Sequence, residues 1–104
     1  MFYLTQNDTS PSISVTLQPA PINLIGATAV KFSMRLRGGA VKISRADMVV
    51  EDAAAGVVQY DWQTGDTDVA GQFEAEVEVT YADGSIETFP NAAPLDITIR
   101  PEIA

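Results

Sequence analysis

The sequence predicts an all-β sandwich of seven to eight short strands, on three observations. First, in Gln72-Phe73-Glu74-Ala75-Glu76-Val77-Glu78-Val79-Thr80-Tyr81, the residues Phe73, Ala75, Val77, Val79 and Tyr81 share one parity, and the glutamates share the other. A period of two is the geometry of a strand with one buried and one wet face. Second, turn signals recur at intervals of about 8–12 residues, the spacing of a sandwich. Third, no helix announces itself. The one helix-friendly run, residues 46–55, is short, β-branched in its middle and closed by Gly56.

The elements follow in order. Residues 2–6 form an edge strand or an arm, and residues 12–17 alternate with Ile13, Val15 and Leu17 inward. Gln18-Pro19-Ala20-Pro21 is a loop that its prolines hold extended. Residues 24–27 cross over. Residues 28–37 form a long strand with Val30, Phe32, Met34 and Leu36 inward and Lys31, Ser33, Arg35 and Arg37 outward. Gly38-Gly39 turns the chain, and residues 40–44 return. Residues 48–50 read as a strand and 52–56 as a turn. Residues 57–62 place Val58, Tyr60 and Trp62 on one face, as core side chains before they are binding anchors. Residues 64–68 are a polar loop. After residues 72–81, Asp83-Gly84 reverses the chain into 86–89, which Pro90 stops, and residues 95–99 close the domain. The organisation is an arm or edge strand over 1–11, one sandwich over 12–100 and a tail over 101–104. Gly71, Phe73 and Ala75 echo the G-x-Y-x-C stretch of immunoglobulin domains, without the tyrosine hydroxyl or the cysteine.

The hairpin poses a register problem. A two-residue turn sets Tyr81 opposite Ile86 and Val79 opposite Thr88, so Phe89 lands opposite Glu78 on the carboxylate face. Ile86 and Phe89 differ in parity, and both reach the core only through a bulge or an irregular turn. We expect one.

At 104 residues and 46% hydrophobic, the chain suits one domain with a core. Its net charge of −8 is uneven: residues 1–46 hold five bases against Asp8 (+4), and residues 47–104 hold thirteen acids against Arg100 (−12). Such a protein repels nucleic acid. No run approaches the ~20 apolar residues of a membrane span. Nor does Met1 lead into the basic start and apolar run of a secretory signal. The absence of cysteine fits folding in a reducing cytoplasm.

Chemistry is scarce. Without histidine or cysteine there is no serine–histidine or cysteine–histidine triad and no zinc site of the usual ligands. Gly38-Gly39 opens no helix, so no phosphate loop is read. Asp66 and Asp68, with Asp61 nearby, are oxygen donors of the calcium type but lack the full loop pattern, and read as turn caps. A carboxylate pair for glycoside cleavage needs a cleft that so small a sandwich lacks. No catalytic residue, metal or cofactor is expected, and no enzyme activity.

Interaction is the remaining class. Lys31, Arg35 and Arg37 form one outward row and Glu74, Glu76 and Glu78 another. On neighbouring strands the rows pair within one sheet; apart, each is a handle for another subunit, acting on docking specificity. Phe2, Tyr3 and Leu4 precede the break at Asp8-Thr9-Ser10-Pro11. They fold back as an edge strand or pair with a neighbouring subunit, and the expectation leans to the second.

The ordered pieces Leu24-Ile25-Gly26-Ala27-Thr28-Ala29-Val30-Lys31-Phe32, Ala55-Gly56-Val57-Val58-Gln59-Tyr60-Asp61-Trp62, the run from Asp66 through Phe73 to Gly84, and Glu87-Thr88-Phe89-Pro90 resemble the immunoglobulin-like N-terminal domain of phage baseplate upper proteins and related virion proteins of tailed phages. The resemblance spans residues 24–90. It implies an immunoglobulin-like sandwich that serves as a virion building block, present in many copies or as a homo-oligomer and docked to other virion proteins. It transfers no active-site residue. Such proteins usually continue into a long C-terminal region, whereas this sequence stops at Ala104, so capsid decoration or a head–tail joint is an alternative expectation. From another class, a carbohydrate- or cell-surface-binding module would use exposed aromatics, for which Phe2, Tyr3 and Phe89 are the candidates.

Overall fold

The structure, a computed structural model, describes residues 2–18, 22–90 and 94–103. Residues 19–21, most of the expected proline loop, lie outside the described residues. Nine strands are present among the described residues: β1 (Phe2–Thr5), β2 (Ile13–Thr16), β3 (Ala29–Leu36), β4 (Val41–Asp47), β5 (Val49–Asp52), β6 (Val57–Tyr60), β7 (Gly71–Thr80), β8 (Ile86–Phe89) and β9 (Leu95–Arg100). They form two sheets, one in the order β1-β9-β7-β3-β4 with β8 also on β7, the other in the order β2-β6-β5. The count exceeds the expected seven to eight because residues 2–5, readable as strand or arm, are a strand.

The alternating segment is the centre of the larger sheet. β7 is the longest strand, and on one side it pairs antiparallel with all eight residues of β3. Its other side is shared: Gly71 to Ala75 pair with β9, and Val77 to Thr80 pair with β8. Phe73, Ala75, Val77 and Val79 point into the core. From β3 they meet Val30, Phe32 and Met34. The smaller sheet contributes Ile13, Val58 and Tyr60 to the same core. Phe32 stacks on Tyr60 with ring centroids 4.6 Å apart, and Trp62 meets both edge-on. The indole N–H donates to the Pro11 carbonyl at 3.1 Å, so its polar atom is satisfied where the ring is buried.

The hairpin resolves by an irregular turn. Tyr81 N–H donates to Ser85 C=O at 2.8 Å, and three residues lie between them rather than two. Gly84 takes φ +87° and Asp83 Oδ1 accepts from the Ser85 N–H and hydroxyl, which suits a type I turn closed by a left-handed residue. The extra residue shifts the register by one. Phe89 now faces Val77 and is 2% exposed, while Ile86 faces Thr80 and is 62% exposed. Only one of the pair is buried.

Other expectations need correction. Leu36, inward by parity, is 37% exposed; it is the last residue of β3 and lies over Gly39 and Gly71, which have no side chains to cover it. The return strand runs through Asp47 rather than stopping at 44, because it bulges twice against β3. Ile43 and Ala46 have opposite parity yet both reach the core side, and the extra residue between them, with Arg45 at φ 52°, makes that possible. Met48 crosses between the sheets, and β5 begins at Val49.

β1 is the edge strand of the larger sheet, parallel to β9, with Leu4 opposite Ile99. Leu4 is buried and Phe2 packs near Trp62 at 6.1 Å between ring centroids. Asn7 N–H donates to Thr67 C=O and Thr67 Oγ1 donates to Asp8 C=O, latching the segment after β1 to the polar loop. Of the two expectations, an edge strand folded back or pairing with a neighbouring subunit, the segment takes the first within this chain.

Leu4→Ala should cost about 2–5 kcal/mol and Trp62→Ala about 3–5 kcal/mol in a urea melt. A loss below about 1 kcal/mol in either would mean a surface side chain rather than a packed one. Gly56→Ala should destabilise beyond the ~1–2 kcal/mol of its left-handed φ of +72°, because a Cβ would sit 2.6 Å from the Ile22 carbonyl oxygen.

Candidate docking surface

The outer face of the larger sheet carries the two charged rows. Register sets Lys31 opposite Glu78, Ser33 opposite Glu76 and Arg35 opposite Glu74, so the rows lie on neighbouring strands. Pairing follows the β3–β7 register only once. Arg35 Nη2 lies 3.1 Å from Glu74 Oε1. Lys31 turns instead to Asp47, its register partner on β4, and Arg45 takes Glu78 at 2.8 Å. Arg37 reaches across β7 to Asp96 at 2.5 Å, and Lys42 reaches Asp68 at 2.5 Å. The pairs are partly exposed and worth about 0–1 kcal/mol each.

Arg45, Lys42, Asp47 and Asp96 escaped the sequence reading. Arg45 lies on the bulge, where its N–H donates to Ser33 Oγ at 3.0 Å, so strand parity assigned it to no row. Asp96 shares the outward parity of its strand, and that signal was available.

Glu76 stands apart. It is exposed and makes no ion pair among the described residues, since serine occupies the cross-strand position. It also sits where β7 changes partners: Val77 pairs with Phe89, Ala75 with Leu95. A shallow groove of about 240 Å³ runs there, lined by Ser33, Arg35, Val41, Glu74, Glu76 and Pro94 among others. Small Ser33 leaves the space, and the Arg35–Glu74 pair walls it.

The remaining candidates lie elsewhere. Phe2 and Leu4 point toward the core, and Tyr3 is exposed at the sheet's edge. Asp66 and Asp68 do not converge. Asp66 Oδ2 accepts from Tyr60 OH at 2.5 Å and from Gln63 N–H at 2.8 Å, whereas Asp68 holds Lys42. Among the described residues no group of three or more acids is placed around a common metal position. Nor is any described helix long and apolar enough to cross a membrane.

Titrating groups here serve structure. Burial first, then the Asp66 carboxylate, pushes the Tyr60 phenol well above its usual range. Tyr81 is pushed up to about 12 by burial and then by its bond to Glu87. Asp61 is held below the usual carboxylate range by Ser12 Oγ at 2.6 Å and then by Gln59.

These features define a class: an all-β protein of two sheets, the larger of which carries an outward, ion-paired face. Residues 4–90 match the family model described as the BppU N-terminal domain. The chain belongs to that family, the N-terminal domain of phage baseplate upper proteins, which makes it a phage baseplate-related structural protein of the virion. The match begins within β1 and so extends beyond the 24–90 stretch that carries the resemblance. No curated protein and no solved structure matches the chain.

Two titrations test these assignments. Raised tyrosines hold stability in full below the unfolded value of about 10 and lose it as pH rises through their folded values, so melts should weaken steadily above about pH 10. Tyr81→Phe should flatten that slope. Asp61 acts oppositely: its contribution is present above about pH 4 and is lost as pH falls through its depressed folded value. Ser12→Ala should raise the Asp61 midpoint in a carbon-detected NMR titration.

Proposed function

We propose that this chain is a structural component of the tail or baseplate of a tailed-phage virion, built into the particle in multiple copies by docking to other virion proteins and performing no catalysis. The observation that carries this reading is the family match over residues 4–90. The strand orders support an immunoglobulin-like sandwich: β2-β6-β5 correspond to the B-E-D order, and β3-β7-β9 to the C-F-G order. The groove supports a docking role over a substrate role. It is shallow and falls below the ~300–1,000 Å³ of ligand pockets.

Residues 12–100 serve as the sandwich in this reading, residues 1–11 as its edge and 101–104 as a tail. The protein folds in the host cytoplasm and enters the particle without contacting nucleic acid or membrane. Partners meet the outer face of the larger sheet, where Lys31, Arg35, Arg37, Glu74 and Glu78 fix orientation through their ion pairs. Glu76, the carboxylate of the row without a cation, is free to meet one from a partner.

Quantitative mass spectrometry of separated heads and tails should find the chain with tails; recovery with heads alone would overturn the tail assignment in favour of capsid decoration. Glu76→Lys should leave stability within about 0.5 kcal/mol, as for other surface changes, and lower the copy number in particles. Unchanged copy number would remove Glu76 from the docking face.

A further inference from the structure

We propose that the open edge of β1 is a self-pairing site that takes β1 of a second copy of this chain, antiparallel, across a twofold axis at Tyr3. The proposal rests on the multi-copy reading above and names one contact through which copies meet.

Backbone direction comes first. Gln6 N–H donates to Arg100 C=O, so Phe2, Leu4 and Gln6 turn their peptide groups toward β9. Tyr3 and Thr5 therefore turn theirs away. Thr5 C=O accepts from Asp8 N–H, which leaves the Tyr3 N–H and C=O and the Thr5 N–H facing the open side. The edge is held in place for docking: Leu4 is anchored in the core, Gln6 Nε2 donates to Asp68 C=O, and Asn7 N–H donates to Thr67 C=O. Such preorganisation lowers the ordering cost of association.

The other edges are guarded, as sheet edges usually are. β4 carries Lys42 and Arg45 and two bulges. β5 carries Glu51 and Asp52 and a bulge. β8 carries Glu87 and runs into Pro90. β2 has no charge but shows only Ser14 and Thr16 outward. β1, Phe-Tyr-Leu-Thr, has no charge, proline or bulge, and Tyr3 is 66% exposed.

Charge selects a second copy as the occupant. Twofold pairing sets each residue near its own counterpart, so a charged edge meets like charge. β4, β5 and β8 are excluded from self-pairing on that ground; β1 and β2 are not, and of these two only β1 exposes a large side chain, Tyr3. A pair centred on Tyr3 exchanges N–H and C=O between the two tyrosines and brings their rings together on one face, an arrangement that stabilises cross-strand contacts.

The chain has no cysteine, so one introduced thiol reports cleanly. Hydrogen-bonded antiparallel partners have Cα atoms about 5.5 Å apart, within disulfide range. Under oxidised glutathione, Tyr3→Cys should form dimer at least about tenfold faster than the similarly exposed Val41→Cys and Ile86→Cys, because paired strands raise the local thiol concentration. Adding Thr5→Pro removes an outward donor and leaves the β9 ladder intact; it should return the rate to that of the controls without changing the melt. In the unsubstituted chain, the Tyr3 and Thr5 amides should shift with concentration by NMR, while that of Leu4 stays fixed. Equal rates at all three cysteines, with amides insensitive to concentration, would overturn the proposal. So would bismaleimide cross-linking of Tyr3→Cys in particles to a different virion protein and not to a second copy. The solution cross-link does not depend on where in the virion the chain resides, so it fails separately from the tail assignment.

Discussion

Phe32 lies flat on Tyr60, and through that contact the central part of the larger sheet grips the smaller one. The smaller sheet has three strands of four residues each. The aromatic cluster also reaches the chain's first strand, since Trp62 carries Phe2 on its outer side. Tyr60 then extends the order outward: its hydroxyl fixes Asp66, which caps Gln63, and the following Thr67 holds the turn after β1. Burial of a few rings thus organises loops that bury almost nothing themselves.

Parity made much of this legible beforehand. Val30, Phe32, Met34, Val58, Tyr60, Trp62 and the inward side of β7 are in the core because simple alternation holds along those strands. It failed where the backbone adds a residue. The bulge at Arg45 brought Ile43 and Ala46 to one face and turned Arg45 toward Glu78, and no count by twos could place them. Leu36 failed differently, since alternation says which way a side chain points but not whether its neighbours have side chains to cover it. The charged rows were visible as rows; their partners depended on register and on reach across strands, which one strand alone does not encode.

The ion pairs leave an uneven field. Five of the six basic residues are matched to acids on or beside the larger sheet. The strands of the smaller sheet hold Glu51 and Asp52 and no base. Most of the remaining negative charge lies outside the strands, at Asp8, Asp61, Asp66, Asp83 and Glu102. At low ionic strength such a field turns an approaching domain before contact; at physiological salt it acts only within about 8 Å.

The turn after β7 combines an exposed position with a strict requirement. Surface loops generally accept insertions and deletions, because little depends on their length. Here the pair that closes the turn sets which side of β8 is apolar: Tyr81 with Ser85 puts Phe89 opposite Val77, whereas Ala82 with Ser85 would put it beside the glutamates. Loss of residue 82 or 83 would keep the same closing pair over a two-residue loop and leave the register unchanged. Homologous sequences should therefore tolerate a gap there while keeping apolar residues at the positions of Val77 and Phe89.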